Sequence, residues 1–459
     1  MSRRYDAIVI GTGQAGPSLA ARLAKAGQSV AVIERKHLGG TCVNVGCIPT
    51  KALVASAYAA SLARRGAEFG VVIDRPVRVD MERVKARKDA IVERSRSGLE
   101  SWLGGAERIT MYRDHARFES ARSVRVAGEL LEAERIFVNV GTHASVPPLP
   151  GLDAVPYYTN SGMMDVDFLP EHLVIVGGSY VGLEFGQMYR RFGSRVTIVE
   201  MADRLVERED EDVSAAILEI LGAEGIEVRL GVRCLAVEPR GTDVALKLDC
   251  GSGAPEVVGS HLLLAVGRRP NTADLGLDAA GVALDERGYI RVDDQLRTNV
   301  PGIWALGDCN GRGAFTHTAY NDHEIVAANL LEADPRRVSD RITAYALYID
   351  PPLGRVGLTE AEVRRAGLRA LVGKRPMEKV GRAVEKGETR GFMKVVVEAG
   401  SKKILGAAIL GVGGDEVVHL LLDAMYAGAP YTVIQRAVHI HPTVAELIPT
   451  LLGSLRPIE

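Results

Sequence analysis

The sequence predicts an α/β fold in which two similar nucleotide-binding units precede a C-terminal α+β domain. Three observations predict it. A strand, glycine-rich turn, helix and second strand occur twice in the chain, glycine accounts for 50 of 459 residues, and the chain from Ile342 onward lacks a third such turn. Because glycine serves where a backbone turns tightly or approaches a ligand, this abundance favours a nucleotide-binding protein over a helical bundle. A chain of this length exceeds what one hydrophobic core usually organises, so two to four domains are expected.

The first unit begins at the N-terminus and ends on an acidic residue. Its strand, turn, helix, second strand and terminal acid are Tyr5–Ile10, the glycines Gly11, Gly13 and Gly16, Pro17–Ala26, Ser29–Ile33 and Glu34. In such a unit the first glycine permits the tight turn, the second admits a pyrophosphate and the third lets the helix pack closely on the sheet. The helix N-terminus then faces the phosphates, and the acid accepts hydrogen bonds from a ribose diol.

The second unit repeats this pattern in the middle of the chain. Its members are Leu173–Val176, the glycines Gly177, Gly178 and Gly182, Leu183–Phe192, Arg195–Val199 and Glu200. One such turn alone is a weak signal. Two units together predict two Rossmann-like domains holding two dinucleotides, which is the arrangement expected when a nicotinamide reduces a bound flavin.

The remaining segments complete the predicted organisation. A polar, Arg-rich helix is expected over Val79–Leu103, and a linker at Pro147–Gly151. Apolar strands are expected at Phe137–Val140, Leu262–Gly267 and Ile303–Asp308, and the C-terminal region combines strands Gly391–Val397 and Ile404–Gly411 with helices Glu360–Ala366 and Asp415–Ala427. The predicted domains are residues 1–150 and 270–341 for the first dinucleotide, 151–269 for the second, and 342–459 for the α+β domain.

Composition excludes several function classes. The formal net charge of −2 gives no reason to expect nucleic acid or an anionic membrane as partner. No apolar stretch is expected to cross a bilayer, and Met1–Asp6 leads into a strand without a secretory segment. Five cysteines in so long a chain do not make a disulfide scaffold, and Cys234, Cys250 and Cys309 are scattered. The predicted compartment is the cytoplasm.

The segment around Cys42 and Cys47 carries the chemistry. Four residues separate these cysteines, which is not the spacing of a zinc knuckle, and no second Cys or His cluster completes a metal site. No metal is therefore predicted. Pro49 suits the first turn of a helix starting near Cys47, which would place that sulfur at a positive dipole end. Lys51 lies one turn along the same face, so a thiolate at Cys47 would be stabilised. A reactive pair is favoured over a static disulfide, which cytosol reduces.

The motif of residues 39–51, Gly-Gly-Thr-Cys-Val-Asn-Val-Gly-Cys-Ile-Pro-Thr-Lys, resembles the redox motif of the class I pyridine nucleotide–disulfide oxidoreductases. These include dihydrolipoyl dehydrogenase, glutathione reductase and mercuric reductase. The resemblance covers essentially the whole chain. It extends to strand-end motifs at Asn139–Thr142 and Ala265–Asn271, to the second FAD motif at Thr298 and Trp304–Asp308, and to His439–Glu446, which resembles the His-Pro-Thr-x-x-Glu motif of the catalytic base.

The resemblance implies a role for each matching residue. Cys47 would be the charge-transfer sulfur near the flavin, and Cys42 the exposed interchange thiol that attacks substrate. Lys51 and Glu184 would form an ion pair beside the flavin, and His441, polarised by Glu446, would shuttle the proton needed for thiol–disulfide exchange. The residues expected to bind FAD or NAD are Gly11, Gly13, Gly16, Glu34, Gly40, Thr41, Lys51, Gly141, Asp308, His317, Gly177, Gly178, Tyr180, Gly182, Glu200 and Gly267.

The resemblance also implies quaternary structure. In this family the histidine reaches the thiols of the partner subunit, so the C-terminal domain is expected to form a homodimer with shared sites. Tyr180 resembles the aromatic gate over the nicotinamide pocket, and Asp308 the residue that holds the ribityl chain.

Some residues carry a simpler interpretation. His439 lacks the context of His441 and is expected to be structural. His317 stands where dihydrolipoyl dehydrogenases have a flavin contact, and is expected to contact the cofactor without a catalytic role. Cys309, next to Asp308, is expected to be a small buried hydrophobe rather than a third redox thiol.

The substrate is open among members of the family. Dihydrolipoyl dehydrogenase fits every catalytic residue, which predicts a small disulfide or dithiol as substrate. Mercuric reductases end in a paired-cysteine tail, whereas Gly453–Glu459 contains no cysteine. The segment Pro351–Gly357 also resembles the flavin reductases of reactive-chlorine resistance, so a metal-ion reductase or NADH oxidase is an alternative, as is a non-catalytic flavoprotein scaffold. NADH is expected over NADPH, because a carboxylate at Glu200 pairs with the ribose 2′-OH and repels a 2′-phosphate.

Overall fold

The computed structural model describes residues 2–249 and 254–458. Cys250 and Glu459 lie outside the described residues. The first 144 residues contain strands β1 (Ser2–Ile10), β2 (Val30–Ile33), β3 (Ile109–Tyr112), β4 (Arg117–Ser120), β5 (Ser123–Val126), β6 (Glu129–Val138) and β7 (Thr142–Ala144). The helices of this stretch are α1 (Ala15–Lys25), α2 (Gly40–Asn44), α3 (Cys47–Arg64) and α4 (Met81–Gly104).

The middle stretch of the chain, residues 172–327, contains the second unit and then returns to the first. Its strands are β8 (His172–Val176), β9 (Arg195–Val199), β10 (Glu227–Arg229), β11 (Arg233–Arg240), β12 (Asp243–Asp249), β13 (Glu256–Gly259), β14 (His261–Leu264), β15 (Arg268–Pro270) and β16 (Ile303–Ala305). Its helices are α5 (Tyr180–Phe192), α6 (Glu211–Ala223) and α7 (Thr316–Ala327).

The C-terminal region is mixed, as its sequence predicts. Its strands are β17 (Ala344–Leu347), β18 (Leu353–Gly357), β19 (Ala370–Pro376), β20 (Phe392–Glu398), β21 (Ile404–Leu410) and β22 (Arg456–Pro457). Its helices are α8 (Glu360–Arg365), α9 (Gly381–Glu385), α10 (Gly414–Tyr426), α11 (Thr432–Arg436) and α12 (Ile448–Leu452). The strands form one six-stranded sheet in the order β17-β18-β21-β20-β19-β22, with antiparallel pairing throughout.

The second nucleotide unit is built on a parallel sheet, whereas the sheet of the first is mixed: β3, β2, β1, β6 and β16 pair in parallel, and β5 and β4 add an antiparallel edge. The first has the order β3-β2-β1-β6-β5-β4, and β16 pairs with β6 in parallel, with Ile303 opposite Ile136. The second has the order β10-β9-β8-β14. Every residue of β8 is buried, as expected for a parallel strand covered on both faces. The chain thus returns to its first sheet after completing the second, while the exact domain boundaries stay a prediction.

One helical stretch corrects a sequence expectation. By length and composition alone, Gly40–Arg64 could cross a membrane, whereas no stretch was expected to reach that length. In the structure this stretch contains α2 and α3. Helix α3 packs against α4 and α5, and carries Lys51 in an ion pair with Glu184. A helix packed between other elements of a protein can meet the same criteria of length and composition. The cytoplasmic location stays a prediction.

Candidate active site

The first glycine of each glycine-rich turn has the same backbone conformation and the same close neighbour, a strand-end carbonyl. Gly11 has φ +100°, and a Cβ there would lie 2.3 Å from the carbonyl oxygen of Asn139. Gly177 has φ +119°, and its Cβ would lie 2.4 Å from the carbonyl oxygen of Ala265. Both positions therefore exclude a side chain, because the turn passes directly over the neighbouring strand end.

The turns differ at their second position. The first turn places Gly13 two residues after Gly11, whereas the second places Ser179 two residues after Gly177. Gly178 is confined for another reason, because a Cβ there would lie 2.7 Å from Leu205. The second turn therefore has the spacing Gly-Gly-x-x-x-Gly, and the two units are less alike than the glycine count indicates.

The terminal acids occupy equivalent places in the two units. The Glu34 carboxylate accepts hydrogen bonds from the Thr12 amide at 3.0 Å and the Thr12 hydroxyl at 2.7 Å. The Glu200 carboxylate accepts from the amides of Gly178 at 2.5 Å and Ala202 at 2.8 Å. Each acid thus lies beside the turn at the end of its parallel strand, where a ribose can reach it.

A further observation supports a dinucleotide at the first turn. The side-chain Nδ2 of Asn139 is buried and has no hydrogen-bond partner among the described residues. This nitrogen lies beside the turn, since a Cβ at Gly16 would come within 2.9 Å of it. A buried donor without a partner is costly, so one that faces a phosphate-binding turn indicates a polar ligand there.

Asp308 lies at the same carboxyl end of the first sheet as the Gly11 turn, because β16 is parallel to β6 and β6 to β1. Asp308 follows β16 in the chain, and its carboxylate accepts a hydrogen bond of 3.1 Å from the Thr142 hydroxyl. Burial raises the pKa of Asp308. Gly141, with φ +63°, and Gly267, with φ +110°, lie in the strand-end turns beside it, and α2 begins with Gly40 and Thr41.

His317 lies on α7, and its expected flavin contact stays a prediction. Its ring stacks on Phe315 with the centroids 5.4 Å apart, and its Nε2 lies 2.7 Å from the carbonyl oxygen of Ala344. Burial lowers the pKa of His317, so a neutral ring is favoured.

The cysteine loop folds as its sequence predicts. Helix α3 begins at Cys47, with Pro49 in its first turn. Both Cys42 and Cys47 are free thiols, and they hydrogen-bond to each other. One expectation is not met in the single chain: Cys42 is half-buried and Cys47 is the exposed member of the pair. The Cys47 sulfur lies at the start of its helix, whereas Cys42 lies inside the five-residue helix α2.

The environment of Cys47 favours its thiolate. A hydrogen bond from Cys42, a second from Thr316 and the positive charge of Lys51 lower the pKa of Cys47 to about 6, against the opposing effect of burial. The Sγ of Cys47 lies 3.0 Å from the Thr316 hydroxyl. The hydrogen bond to Cys47 and burial raise the pKa of Cys42, so the proton of the pair resides on Cys42.

Lys51 forms the expected ion pair. Its Nζ lies 2.7 Å from Oε2 of Glu184, which is 8% exposed. The structure adds Tyr348, whose ring lies under Lys51 Nζ at 4.6 Å and whose amide donates to Glu184 Oε1 at 3.0 Å. The lysine beside the thiolate is thus held from two sides.

His441 and Glu446 contact each other but not the cysteine loop. The His441 Nδ1 lies 3.0 Å from both carboxylate oxygens of Glu446, which leaves Nε2 directed elsewhere. The His441 side chain is 80% exposed and that of Glu446 only 18%. Val438 and Ile440 beside it are also exposed, so this histidine lies on an apolar surface. In the described residues no hydrogen bond or ion pair joins it to Cys42 or Cys47.

The other predicted positions are ordinary. The Nδ1 of His439 lies 3.2 Å from the carbonyl oxygen of Ala437. Cys309 is fully buried, and burial raises its pKa to about 12, as expected for a packed, unreactive thiol. Tyr180 is the first residue of α5, and its ring meets Phe315 edge-on at 6.0 Å.

Sequence reasoning missed Thr316 and Tyr348. Thr316 is 269 residues from Cys47, and Tyr348 is 164 residues from Glu184. Tyr348 belongs to no motif with a known spacing. Thr316 lies next to His317 in the segment that resembles a flavin contact, but nothing in that segment indicates a contact with Cys47.

One cluster of acids has the geometry of a cation site. Carboxylate oxygens of Asp210, Asp212 and Glu360 lie within 4.8 Å of one another. The Nζ of Lys394 lies 2.8 Å from Asp210, 2.7 Å from Asp212 and 2.8 Å from Glu360, so an ammonium group occupies the centre. The expected absence of a metal stays a prediction.

Comparisons with known proteins give a consistent result. The family profile of the pyridine nucleotide-disulphide oxidoreductases matches residues 5–322, and the profile of their dimerisation domain matches residues 343–452. The probable pyridine nucleotide-disulfide oxidoreductase RclA of Escherichia coli is 35% identical over 99% of this chain and 100% of its own. A dihydrolipoyl dehydrogenase of Thermus scotoductus is 34% identical, covering 97% of this chain and 96% of its own. A mercuric reductase of Streptomyces lividans is 35% identical, covering 97% and 94%.

Solved structures agree. The HOCl-induced flavoprotein disulfide reductase RclA from Escherichia coli superposes with a TM-score of 0.90 at 35% identity, over 98% of this chain and 99% of that one. A Cu(II) complex of the same reductase has the same TM-score and identity, over 99% of each chain.

Proposed function

Because this chain belongs to the pyridine nucleotide-disulphide oxidoreductase family, we propose that it passes electrons from NADH through FAD to the Cys42–Cys47 pair and on to a small disulfide. Members of the family are NAD(P)H-dependent flavoprotein enzymes with a dimerisation domain. The preference for NADH, the disulfide substrate and the role of each residue are the proposal. Bound FAD would supply the two-electron link between a nicotinamide and the cysteines.

The observation that carries the proposal is the environment of Cys47. Its sulfur lies at the first residue of α3, within hydrogen-bonding distance of Cys42 and Thr316 and near Lys51. A thiolate stabilised in this way leaves Cys42 protonated, so a base must remove that proton before Cys42 attacks. His441, oriented by Glu446, is the base we assign.

The overall reaction conserves atoms and electrons. NADH, one proton and a disulfide give NAD⁺ and two thiols. Within the protein, Cys42 forms a mixed disulfide with one half of the substrate while the other half leaves as a thiol. Cys47 then attacks Cys42, which releases the second thiol and regenerates the Cys42–Cys47 disulfide.

The proposed cofactor sites follow the two units. FAD is assigned to the first, with the Gly11 turn, Glu34 and Asp308, and NADH to the second, with the Gly177 turn and Glu200. The Glu200 carboxylate lies beside its turn, where it would pair with a 2′-hydroxyl and repel a 2′-phosphate. A kcat/KM ratio that favours NADPH over NADH would contradict this assignment.

We assign the assembly to a homodimer with sites shared between subunits. His441 is 80% exposed beside the exposed apolar side chains of Val438 and Ile440, which supports a site completed by a second subunit. The dimerisation profile over residues 343–452 supports the same arrangement.

A second candidate function is reduction of Cu(II). It is favoured by the solved Cu(II) complexes of the Escherichia coli relative, together with the paired thiols of this chain. One NADH would then reduce two Cu(II) ions to Cu(I), giving NAD⁺ and a proton.

A steady-state panel with NADH separates the candidates. The electron acceptors are lipoamide, small-thiol disulfides, Hg(II) and Cu(II), each with purified protein reconstituted with FAD. We expect turnover with a disulfide and a long-wavelength thiolate–flavin absorption band on reduction. Turnover with Cu(II) alone would favour the second candidate, and the absence of both turnover and band would leave only a non-catalytic flavoprotein.

A further inference from the structure

Three aromatic rings from distant parts of the chain meet beside the second nucleotide unit. Tyr180 begins α5, Phe315 precedes α7 and Tyr345 lies on β17. The rings of Tyr180 and Tyr345 meet edge-on with centroids 5.7 Å apart, and those of Phe315 and Tyr345 stack at 5.6 Å. The proposed gate residue Tyr180 therefore rests against a ring from the C-terminal domain.

The hydroxyl of Tyr345 is fixed by a buried ion pair. It donates a 2.6 Å hydrogen bond to Oε1 of Glu209, which is fully buried. The other carboxylate oxygen of Glu209 accepts a 3.0 Å hydrogen bond from Nε of Arg355, whose side chain is 1% exposed. Both carboxylate oxygens of Glu209 are therefore hydrogen-bonded, and the fixed carboxylate holds the Tyr345 hydroxyl and ring in one position.

The ion pair is itself tied to the C-terminal sheet. Asp210, the next residue, lies 3.5 Å from Arg355 and 2.8 Å from Lys394 on β20. Burying such charges costs solvation free energy, and apolar packing often stabilises a protein equally well. The network instead holds the segment at Glu209 and Asp210 in one register against β18 and β20.

A cation lies on the outer side of the same rings. The guanidinium of Arg208 lies 5.7 Å from the centroid of Tyr180 and 5.9 Å from that of Tyr345. Arg208 precedes Glu209 in the chain, so the network that fixes the carboxylate also places this cation over both rings.

We propose that Tyr345 is a positioning residue for Tyr180, and that Glu209 and Arg355 set the resting place of the nicotinamide gate through the Tyr345 hydroxyl. This inference rests on the proposed function, because it takes Tyr180 as the residue that nicotinamide displaces. A ring that must move aside and return needs a rigid support, which the C-terminal domain supplies here across a domain boundary.

Tyr345→Phe is the sharpest test, because it removes one hydroxyl and keeps the ring and the Glu209–Arg355 pair. In the FAD-loaded protein we expect the rate of flavin reduction at saturating NADH to fall by about three- to tenfold. We also expect weaker NAD⁺ binding by isothermal titration. Reoxidation of the reduced enzyme by disulfide should be unchanged, since that half-reaction does not pass Tyr180. Tyr5→Phe, which removes a hydroxyl that hydrogen-bonds to Tyr112 in the first unit, is the matched control.

Equal slowing of both half-reactions by Tyr345→Phe would indicate a merely structural role and overturn the inference. So would unchanged flavin reduction and NAD⁺ binding in Tyr345→Phe while Tyr180→Ala alters them. If Tyr180→Ala alters neither, the gate role is wrong and the inference falls with it. Failure of the proposed function is separate, because it would show as a wild-type protein that NADH does not reduce.

Discussion

The cysteine loop and the histidine loop hold the two halves of one proposed reaction, yet they are built differently. Cys47 takes its stabilising contacts within the single chain, from Cys42, Lys51 and Thr316. His441 is oriented by Glu446 but is 80% exposed, and it lies beside the exposed Ile440. The contacts that stabilise the Cys47 thiolate therefore come from its own chain, whereas His441 faces a surface that its own chain does not supply. Substitutions in the cysteine loop test how the chain stabilises its own thiolate. Substitutions in the histidine loop test whether a second subunit completes the site.

Cys42→Ser should give the largest effect. Disulfide turnover should fall on the order of a thousandfold or more, because the attacking thiol is gone. Flavin reduction by NADH, followed by stopped-flow absorbance, should stay within about twofold, since hydride transfer does not use this thiol. Cys234→Ser is the matched control, because Cys234 is half-buried on β11 and burial raises its pKa to about 11. Full disulfide turnover in Cys42→Ser would refute the assigned chemistry.

His441→Ala should lower disulfide turnover by about a hundred- to a thousandfold, the usual contribution of a general acid–base group. His439→Ala, at an exposed neighbour that hydrogen-bonds to the carbonyl oxygen of Ala437, should have little effect. Mixing Cys42→Ser chains with His441→Ala chains should restore activity above either parent. In the mixed dimer one site receives an intact Cys42 and an intact His441, each from a different chain.

Differently tagged chains establish that subunits have exchanged in this mixture. Proven mixed dimers without recovered activity would show that His441 serves its own subunit. The contrast between the two loops would then disappear.

Glu446→Gln should have a smaller effect, of about tenfold on disulfide turnover. The amide can still contact His441 Nδ1, but it lacks the charge that stabilises a protonated imidazole. The steady-state rate should fall while the rate of flavin reduction by NADH does not change. A loss as large as that of His441→Ala would mean that the glutamate does more than orient and stabilise the ring.

Thr316→Val should give the smallest effect and can be followed by absorbance. In the NADH-reduced protein the thiolate–flavin band should appear as pH rises through about 6 and fade below it, because the pKa of Cys47 is lowered to about 6. Removing the Thr316 hydroxyl should move this midpoint upward by roughly one pH unit, since a hydrogen bond to the thiolate is lost. Thr450→Val on α12 should leave it unchanged. An unaltered midpoint in Thr316→Val would remove Thr316 from the set of residues that stabilise the thiolate.

Much of the fold could be predicted because its signals are local. The segments of both nucleotide units, the helix starting at Cys47 and the mixed C-terminal region are all present in the structure. The predicted strand at Arg195–Val199 has the same bounds in the structure. The prediction that Cys42 is the more exposed of the two cysteines was wrong for the single chain. Burial depends on what packs over a loop and not on the sequence of the loop itself.

The sequence by itself determined which residues could do the chemistry. A turn that tolerates no side chain requires glycine at Gly11 and Gly177, and a helix that begins at Cys47 places its sulfur at a positive end. Such requirements act over a few residues and leave a readable pattern.

Only the tertiary structure decided which distant groups surround that chemistry. Thr316 reaches Cys47 across 269 positions, and Arg355 reaches Glu209 across 146. These contacts arise where separate sheets and helices pack together. Hydrogen bonds and ion pairs of this kind are set by distance in space, and no spacing along the chain encodes them.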